Sequence, residues 1–148
     1  MNVLVTGATG FVGSAVVKRL SEQGHVYAAV RKPSDMFSEE VNQVIVGDLA
    51  TGTDYTGAVK NMDVVIHVAA RVHVMDDDAT DPLAEFRKVN VDGTLNLAKQ
   101  AALAGIKRFV FISSIKVNGE TTTGKPPFLP SDTYITTDPY GLSKLEAE

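Results

Sequence analysis

The segment Thr6-Gly-Ala-Thr-Gly-Phe-Val-Gly13 joins a short apolar run to a stretch with helical periodicity. Its three glycines have separate uses. Gly7 permits a tight turn, Gly10 lets the backbone approach a pyrophosphate, and Gly13 lets the following helix pack on the strand. The helix N-terminus adds free N–H groups and the positive end of the helix dipole. The spacing G-x-x-G-x-x-G therefore predicts a dinucleotide site. The alternative is a glycine-rich turn that holds no ligand.

Strand-like and helix-like segments alternate on both sides of this turn. Short apolar runs that end at glycine or polar residues are typical of buried parallel strands. The predicted strands are Asn2–Thr6, Val26–Val30, Val44–Val46, Asp63–His67 and Arg108–Ile112, and the predicted helices are about Phe11–Gln23 and Pro82–Ala104. This alternation predicts an α/β fold with a doubly wound parallel sheet. The pattern stops after Ser114, and residues 117–138 show no clear period, which indicates a functional loop.

The composition excludes several classes of protein. A chain of 148 residues is one domain by length, and a net charge of −4 argues against nucleic acid or an anionic membrane as its partner. The absence of cysteine excludes disulfides and thiolate chemistry. There is no basic leader and no long apolar run, so we expect no signal peptide, no membrane span and a cytoplasmic location. The histidines lack metal-ligand spacing, and the acidic run Asp76–Asp78 lacks the glycine and glutamate of a calcium loop, so we expect no metal.

The end of the second predicted strand bears on the choice of dinucleotide. It reads Val30-Arg31-Lys32, and the next acid is Asp35. An acid at the strand end binds the ribose 2′-hydroxyl of NAD, whereas arginine accommodates the 2′-phosphate of NADP. Arg31 and Lys32 therefore favour NADP over NAD. The alternatives are an ordinary solvated pair of side chains or stacking on the adenine.

Tyr140 and Lys144 lie in the segment Asp138-Pro-Tyr-Gly-Leu-Ser-Lys144. Aspartate followed by proline predicts an N-cap and the first residue of a helix. Residues four apart share one face of that helix. A neighbouring cation favours the charged form of a phenol, so this pair can move a proton on or off a substrate hydroxyl. The spacing therefore predicts an acid/base site.

Six motifs in a fixed order resemble the extended short-chain dehydrogenase/reductase family, and within it the nucleotide-sugar epimerases and dehydratases. They are Thr6–Gly13, Gly47-Asp-Leu49, His67-Val-Ala-Ala70, Val89-Asn-Val-Asp-Gly-Thr94, Phe111-Ile-Ser-Ser114 and Tyr140-Gly-Leu-Ser-Lys144. The resemblance implies a Rossmann-type sheet with bound NAD or NADP. It also implies a chain of roughly twice this length. Residues 1–148 would then be the cofactor domain with the start of the catalytic helix, and the substrate domain would be absent.

The resemblance implies a role for each of four catalytic residues. Tyr140 exchanges a proton with the substrate oxygen, and Lys144 favours its phenolate and hydrogen-bonds the nicotinamide ribose. Ser114 holds the substrate oxygen, and Asn90 supports the site or a water beside it. From the residues alone, Ser114 is equally a polar strand end and Asn90 a buried helix residue, and His67 could be a core histidine or a cofactor contact.

The resemblance also implies a set of cofactor contacts. Asp48 and Leu49 would contact the adenine, and Val68, Ala69 and Ala70 the nicotinamide-side ribose and pyrophosphate. The remaining residues that would contact the cofactor are Gly7, Thr9, Gly10, Phe11, Val12, Gly13, Arg31, Lys32 and Lys144.

Two residues depart from the family pattern after Ser114, and they leave the substrate class open. The family usually has an aromatic residue where Asn118 stands, and Lys116 is unexpected. The first hypothesis is an enzyme of the nucleotide-sugar epimerase or dehydratase type, which forms a dimer in its full-length form through the helix that starts at Tyr140. The second is an NADPH-dependent reductase of a small ketone or dihydroflavonol-like substrate, and the third is a non-catalytic dinucleotide-binding module. For this chain alone we expect cofactor binding but little turnover.

Overall fold

The structure is a computed structural model that describes residues 1–72, 81–132, 134 and 136–148. His73 and the acidic run Asp76–Asp78 lie outside the described residues. The strands are β1 (Asn2–Thr6), β2 (His25–Val30), β3 (Asn42–Ile45), β4 (Val64–His67) and β5 (Arg108–Phe111). The helices are α1 (Phe11–Ser21), α2 (Thr56–Val59), α3 (Pro82–Arg87), α4 (Thr94–Leu103) and α5 (Pro139–Glu146). In the part of the chain that is described, no helix is long and apolar enough to cross a bilayer.

The five strands form one parallel sheet in the order β3-β2-β1-β4-β5. In the register of the central strands, Val3 of β1 lies opposite Val26 of β2 and Val64 of β4. The chain moves outward from β1 in one direction to β3 and then in the other to β5. This reversal confirms the predicted doubly wound sheet. Ligands of such sheets bind at the carboxyl ends of the strands, at the point of reversal, and β1 ends there at the glycine-rich turn.

Alternate residues of β1 enter two hydrophobic clusters, one on each face of the sheet. Val3 and Val5 pack with α1 residues such as Val17 on one face. Leu4 packs with Leu97 of α4 and with neighbours from α2 and β4 on the other. Burial on both faces explains why the central strands β1, β2 and β4 are continuous apolar runs rather than alternating ones.

The helix predicted from Pro82 to Ala104 is interrupted. Between α3 and α4 the chain forms a π-helical turn, Lys88–Gly93. The apolar periodicity of the sequence cannot reveal this wider turn. Asn90 and Gly93 are buried in it and make contacts with distant parts of the chain. The other predicted elements agree with the structure to within about two residues, the usual uncertainty at element ends. The four-residue helix α2 was not predicted, because one helical turn is too short to show periodicity.

Candidate functional site

Backbone crowding explains two glycines of the turn. Gly7 has a φ of 65°, and a Cβ there would lie 2.7 Å from the Ala69 backbone nitrogen. A Cβ on Gly13 would lie 2.0 Å from the Gly7 carbonyl oxygen. Gly13 thus lets α1 approach the turn just after β1, slightly beyond the strand against which it was predicted to pack. The post-β4 segment containing Ala69 lies directly against the same turn.

The N-terminus of α1 is open at this turn. Gly10 caps the helix without any side-chain hydrogen bond, and its N–H bonds the Gly7 carbonyl oxygen at 2.9 Å. Thr9 and Gly10 are exposed, Phe11 is 96% exposed and Val12 is 48% exposed. This helix N-terminus is exposed, has no side-chain hydrogen bond at its cap and carries no Cβ at Gly10, so an anionic group can approach its N–H groups.

A groove of about 670 Å³ continues from this turn along the ends of β2 and β3. Its lining includes Thr9, Arg31, Lys32 and Asp48. The Arg31 guanidinium lies 3.2 Å from the Asp48 carboxylate, and both side chains are nearly four-fifths exposed. Such an exposed pair is weak and can open for a ligand. Leu49, in contrast, packs inward on the hydrophobic cluster around Leu4.

His67 at the end of β4 is fully buried and hydrogen-bonded through both ring nitrogens. Its Nδ1 lies 2.6 Å from the Thr6 hydroxyl, and its Nε2 lies 2.9 Å from the Thr94 hydroxyl. The Thr6 hydroxyl also accepts the Ala69 N–H at 3.2 Å. Burial, together with the nearby Lys144 charge, lowers the pKa of His67 to about 4. His67 is therefore a neutral core residue that connects β1, the post-β4 segment and α4.

Asn90 connects the post-β4 segment to α5. Its Oδ1 accepts the Arg71 N–H at 2.7 Å, and its Nδ2 donates to the Arg71 carbonyl at 3.0 Å. Nδ2 also donates to Ser143 Oγ at 2.9 Å, and Ser143 donates to the Tyr140 carbonyl at 2.7 Å. Asn90 and Ser143 are both buried. The amide thus fixes the backbone on both sides of the site, which agrees with the reading of Asn90 as a buried helix residue that satisfies backbone groups.

Helix α5 carries Tyr140 and Lys144 on one face, as predicted. Asp138 caps it by accepting the Gly141 N–H at 2.7 Å, and Pro139 is its first residue. Lys144 is 1% exposed, and its Nζ lies 3.9 Å from the centroid of the Phe111 ring. Burial lowers the pKa of Lys144 to about 8, and the Glu148 carboxylate opposes this shift.

The end of β5 and the residues after it lie along α5. Ser114 begins a 3-10 turn, Ile115–Val117, and its Oγ accepts the Lys116 N–H at 3.3 Å. Three contacts join this stretch to α5 and to the residues that flank it: Ser113 donates to Glu148, Phe111 contacts Lys144, and Lys116 pairs with Asp138. Ser114 is therefore held beside the helix that carries Tyr140 and Lys144.

Three supporting residues were not predicted from the sequence. Phe111 of β5 and Arg87 of α3 contact α5 from outside. Ser143 lies in α5 itself. The Arg87 guanidinium makes two hydrogen bonds to the Glu146 carboxylate, at 2.7 and 2.5 Å. Of the three, only Ser143 has a local signal, because it precedes Lys144 and stands three residues after Tyr140 on the predicted helix.

Comparisons with known proteins agree with this geometry. Residues 3–148 match the family described as the NAD dependent epimerase/dehydratase family. A UDP-glucose 4-epimerase of Vibrio cholerae is 48% identical over 99% of this chain and 45% of its own length. A 3-beta-hydroxysteroid dehydrogenase of Mycolicibacterium neoaurum is 35% identical over 99% of this chain and 41% of its own length.

Solved structures give the same result. MoeE5 in complex with UDP-glucuronic acid and NAD superposes with a TM-score of 0.81 at 34% identity, over 99% of this chain and 47% of that one. The chain therefore spans a little less than half the length of these relatives. With its parallel sheet, glycine turn and helix of Tyr140 and Lys144, the chain belongs to the NAD dependent epimerase/dehydratase family.

Proposed function

We propose that this chain is the cofactor-binding half of an NAD(P)-dependent enzyme of the nucleotide-sugar epimerase or dehydratase type. The observation that carries the proposal is the burial of Lys144 against Phe111, one helical turn after Tyr140. A dinucleotide-binding module has no need of a buried lysine, which costs stability. The sugar substrate is inferred from the relatives, which include the Vibrio cholerae epimerase and the MoeE5 complex.

Each site residue has a separate role in the proposed reaction at a sugar carbinol carbon. When bound, the nicotinamide supplies reversible hydride transfer. Tyr140 takes the proton from the substrate hydroxyl and returns it, and Ser114 donates a hydrogen bond where charge develops on that oxygen. The Lys144 ammonium favours the phenolate of Tyr140 and hydrogen-bonds the nicotinamide ribose. Asn90 acts on the site through the backbone of Arg71 and through Ser143.

The cofactor contacts follow the carboxyl ends of the strands. The open N-terminus of α1 receives the pyrophosphate, with Gly10 closest because it has no Cβ. Val68, Ala69 and Ala70 line the nicotinamide side, since Ala69 already contacts Gly7. Asp48 would hold the adenosine in the groove, and Leu49 supports that groove from the core.

We further infer a preference for NADP from the end of β2. Arg31 lines the groove, and β2 ends at Arg31 and Lys32 rather than at an acid, with Asp35 the next acid along the chain. The 2′-phosphate would replace the Asp48 carboxylate as the partner of Arg31. Isothermal titration of the 148-residue chain with both cofactors tests this preference. Arg31→Asp is expected to weaken NADP binding at least tenfold relative to NAD, and an unchanged ratio would refute the preference.

The enzyme assay uses the complete gene product, since the relatives are about twice as long. UDP-glucose or UDP-galactose is added, and sugar isomerisation is followed by NMR together with nicotinamide absorbance. Isomerised product without net absorbance change supports the epimerase, and net oxidation of NADPH by a ketone supports the reductase instead. Cofactor binding with neither reaction would leave the non-catalytic module. Tyr140→Phe is the control and should abolish turnover while cofactor binding persists.

The oligomeric state and the location are inferred from the family resemblance and from the composition. We propose a homodimer through two helices that include α5, which sedimentation of the complete gene product would test. The cytoplasmic location stays a prediction.

A further inference from the structure

Lys116, two positions after Ser114, is one of the two residues that depart from the family pattern. One of its contacts lies within the Ser114 turn, and two join this turn to the start of α5. Its N–H donates to Ser114 Oγ, its Nζ lies 3.2 Å from Asp138 Oδ2, and its Cβ would lie 3.1 Å from a Cβ on Gly141. The Lys116 and Asp138 side chains are 28% and 27% exposed, so solvent screens this ion pair less than a surface pair.

Asp138 is the residue that starts the helix of Tyr140. Its Oδ2 accepts the Gly141 N–H at 2.7 Å, and its own N–H donates to the Thr136 hydroxyl at 3.1 Å. Thr136 is 1% exposed, and its methyl group would lie 2.8 Å from a Cβ on Gly141. The first turn of α5 is thus enclosed by Thr136 on one side and Lys116 on another, with the Lys116 ammonium on the capping carboxylate.

We propose that Lys116 is a positioning residue that fixes the Ser114 turn relative to the first turn of α5. The Ser114 hydroxyl and the Tyr140 phenol then meet on one substrate oxygen. The inference rests on the proposed hydride-transfer function and adds a residue to which the family resemblance assigns no role. Because both groups must bond the same oxygen, an error of about 1 Å in their separation lowers the rate by up to about a hundredfold.

A second ion pair in the molecule provides a control for stability alone. Lys107 Nζ lies 2.6 Å from Asp63 Oδ1 at the amino ends of β4 and β5, opposite the site. Lys107 is 77% exposed, so its pair is expected to contribute little. Lys107→Met therefore removes a lysine and an ion pair without touching the Ser114 turn or α5.

The test measures single-turnover hydride transfer in the complete gene product. Lys116→Met is expected to lower the rate constant tenfold to a hundredfold, with substrate KM and cofactor Kd changed less than twofold. Lys116→Arg restores the ion pair and should remain within about threefold of the parent. Asp138→Asn keeps the capping oxygen but removes the charge, and the double variant Lys116→Met/Asp138→Asn should be no slower than the slower single variant.

Three results would overturn the proposal: a parent-like rate for Lys116→Met, independent multiplication of the two single effects, or an equal loss in Lys107→Met. A parent without hydride transfer would refute the proposed function instead. In that case, amide hydrogen exchange at Gly141 in the 148-residue chain tests whether Lys116 fixes the first turn of α5. A rise of about tenfold in Lys116→Met, reversed in Lys116→Arg, supports it, and unchanged exchange refutes it.

Discussion

Acidification provides the most direct test of the buried His67. The ring lies between the Thr6 and Thr94 hydroxyls. A neutral imidazole has one donor and one acceptor nitrogen, and a hydroxyl can hydrogen-bond to either. A proton on this ring would be buried near the Lys144 cation, and both effects lower the pKa of His67 to about 4. An unfolded histidine titrates near 6.5.

The sign and size of the effect follow from these two values. Between pH 6.5 and pH 4, His67 is protonated in the unfolded chain and neutral in the folded chain. The free energy of unfolding therefore falls as the pH falls. The His67 contribution lost between pH 7 and pH 5 is about 2 kcal/mol, and the loss levels off at about 3 kcal/mol below pH 4.

Urea denaturation of the 148-residue chain at several pH values between 7 and 5 measures this loss. His67→Gln removes the titration, so its free energy of unfolding should depend on pH less steeply than that of the parent by about 2 kcal/mol over this range. His25→Gln is the matched control, since it removes an exposed histidine from the start of β2. Equal pH dependence in the parent and in His67→Gln would refute the account of a buried, neutral histidine.

Three further predictions concern single side chains at the site. Lys144→Met should raise the free energy of unfolding at pH 7 by up to about 3 kcal/mol, because the lowered pKa of Lys144 reflects the cost of burying a charge. The same variant should lose hydride transfer. Denaturation measures the first effect and a turnover assay the second. Gly13→Ala places a Cβ 2.0 Å from the Gly7 carbonyl and should lower the melting temperature and abolish cofactor binding. In its control Gly57→Ala, the new Cβ meets nothing within 4 Å in α2, so calorimetry should show a small gain from helix propensity. Asn90→Ala removes three hydrogen bonds and should cost about 3 kcal/mol in urea denaturation.

Most of the fold could be predicted from the sequence because its signals are local. Each strand is a short apolar run, and Gly7 and Gly13 mark the turn where the first strand meets the first helix. The N-cap of α5 was equally local, since Asp138-Pro139 specifies the cap and the first helical residue within two positions. Tyr140 and Lys144 then share a face through the helical period alone.

The supporting contacts could not be predicted because they join distant parts of the chain. Asn90 contacts Ser143, 53 positions later, and Thr6 contacts His67, 61 positions later. Nothing in the period of the segment around Asn90 distinguishes a π-helical turn from an α-helix. The register of β1 and β4 brings Thr6 and His67 together, whereas the packing of α5 against the π-helical turn brings Asn90 and Ser143 together. Neither arrangement has a local sequence signal.

The choice of hydroxyl partners for His67 follows from the charge that the proposed chemistry needs at Lys144. Phe111 contacts both groups, with its ring centroid 5.9 Å from that of His67 and 3.9 Å from Lys144 Nζ. A carboxylate beside His67 would favour the imidazolium and would bury an additional ion pair next to Lys144. Threonine hydroxyls satisfy both ring nitrogens without favouring the charged ring. The buried lysine is thus the only one of the two groups that carries a charge at neutral pH, and the stability that it costs is located at the site of the proposed reaction.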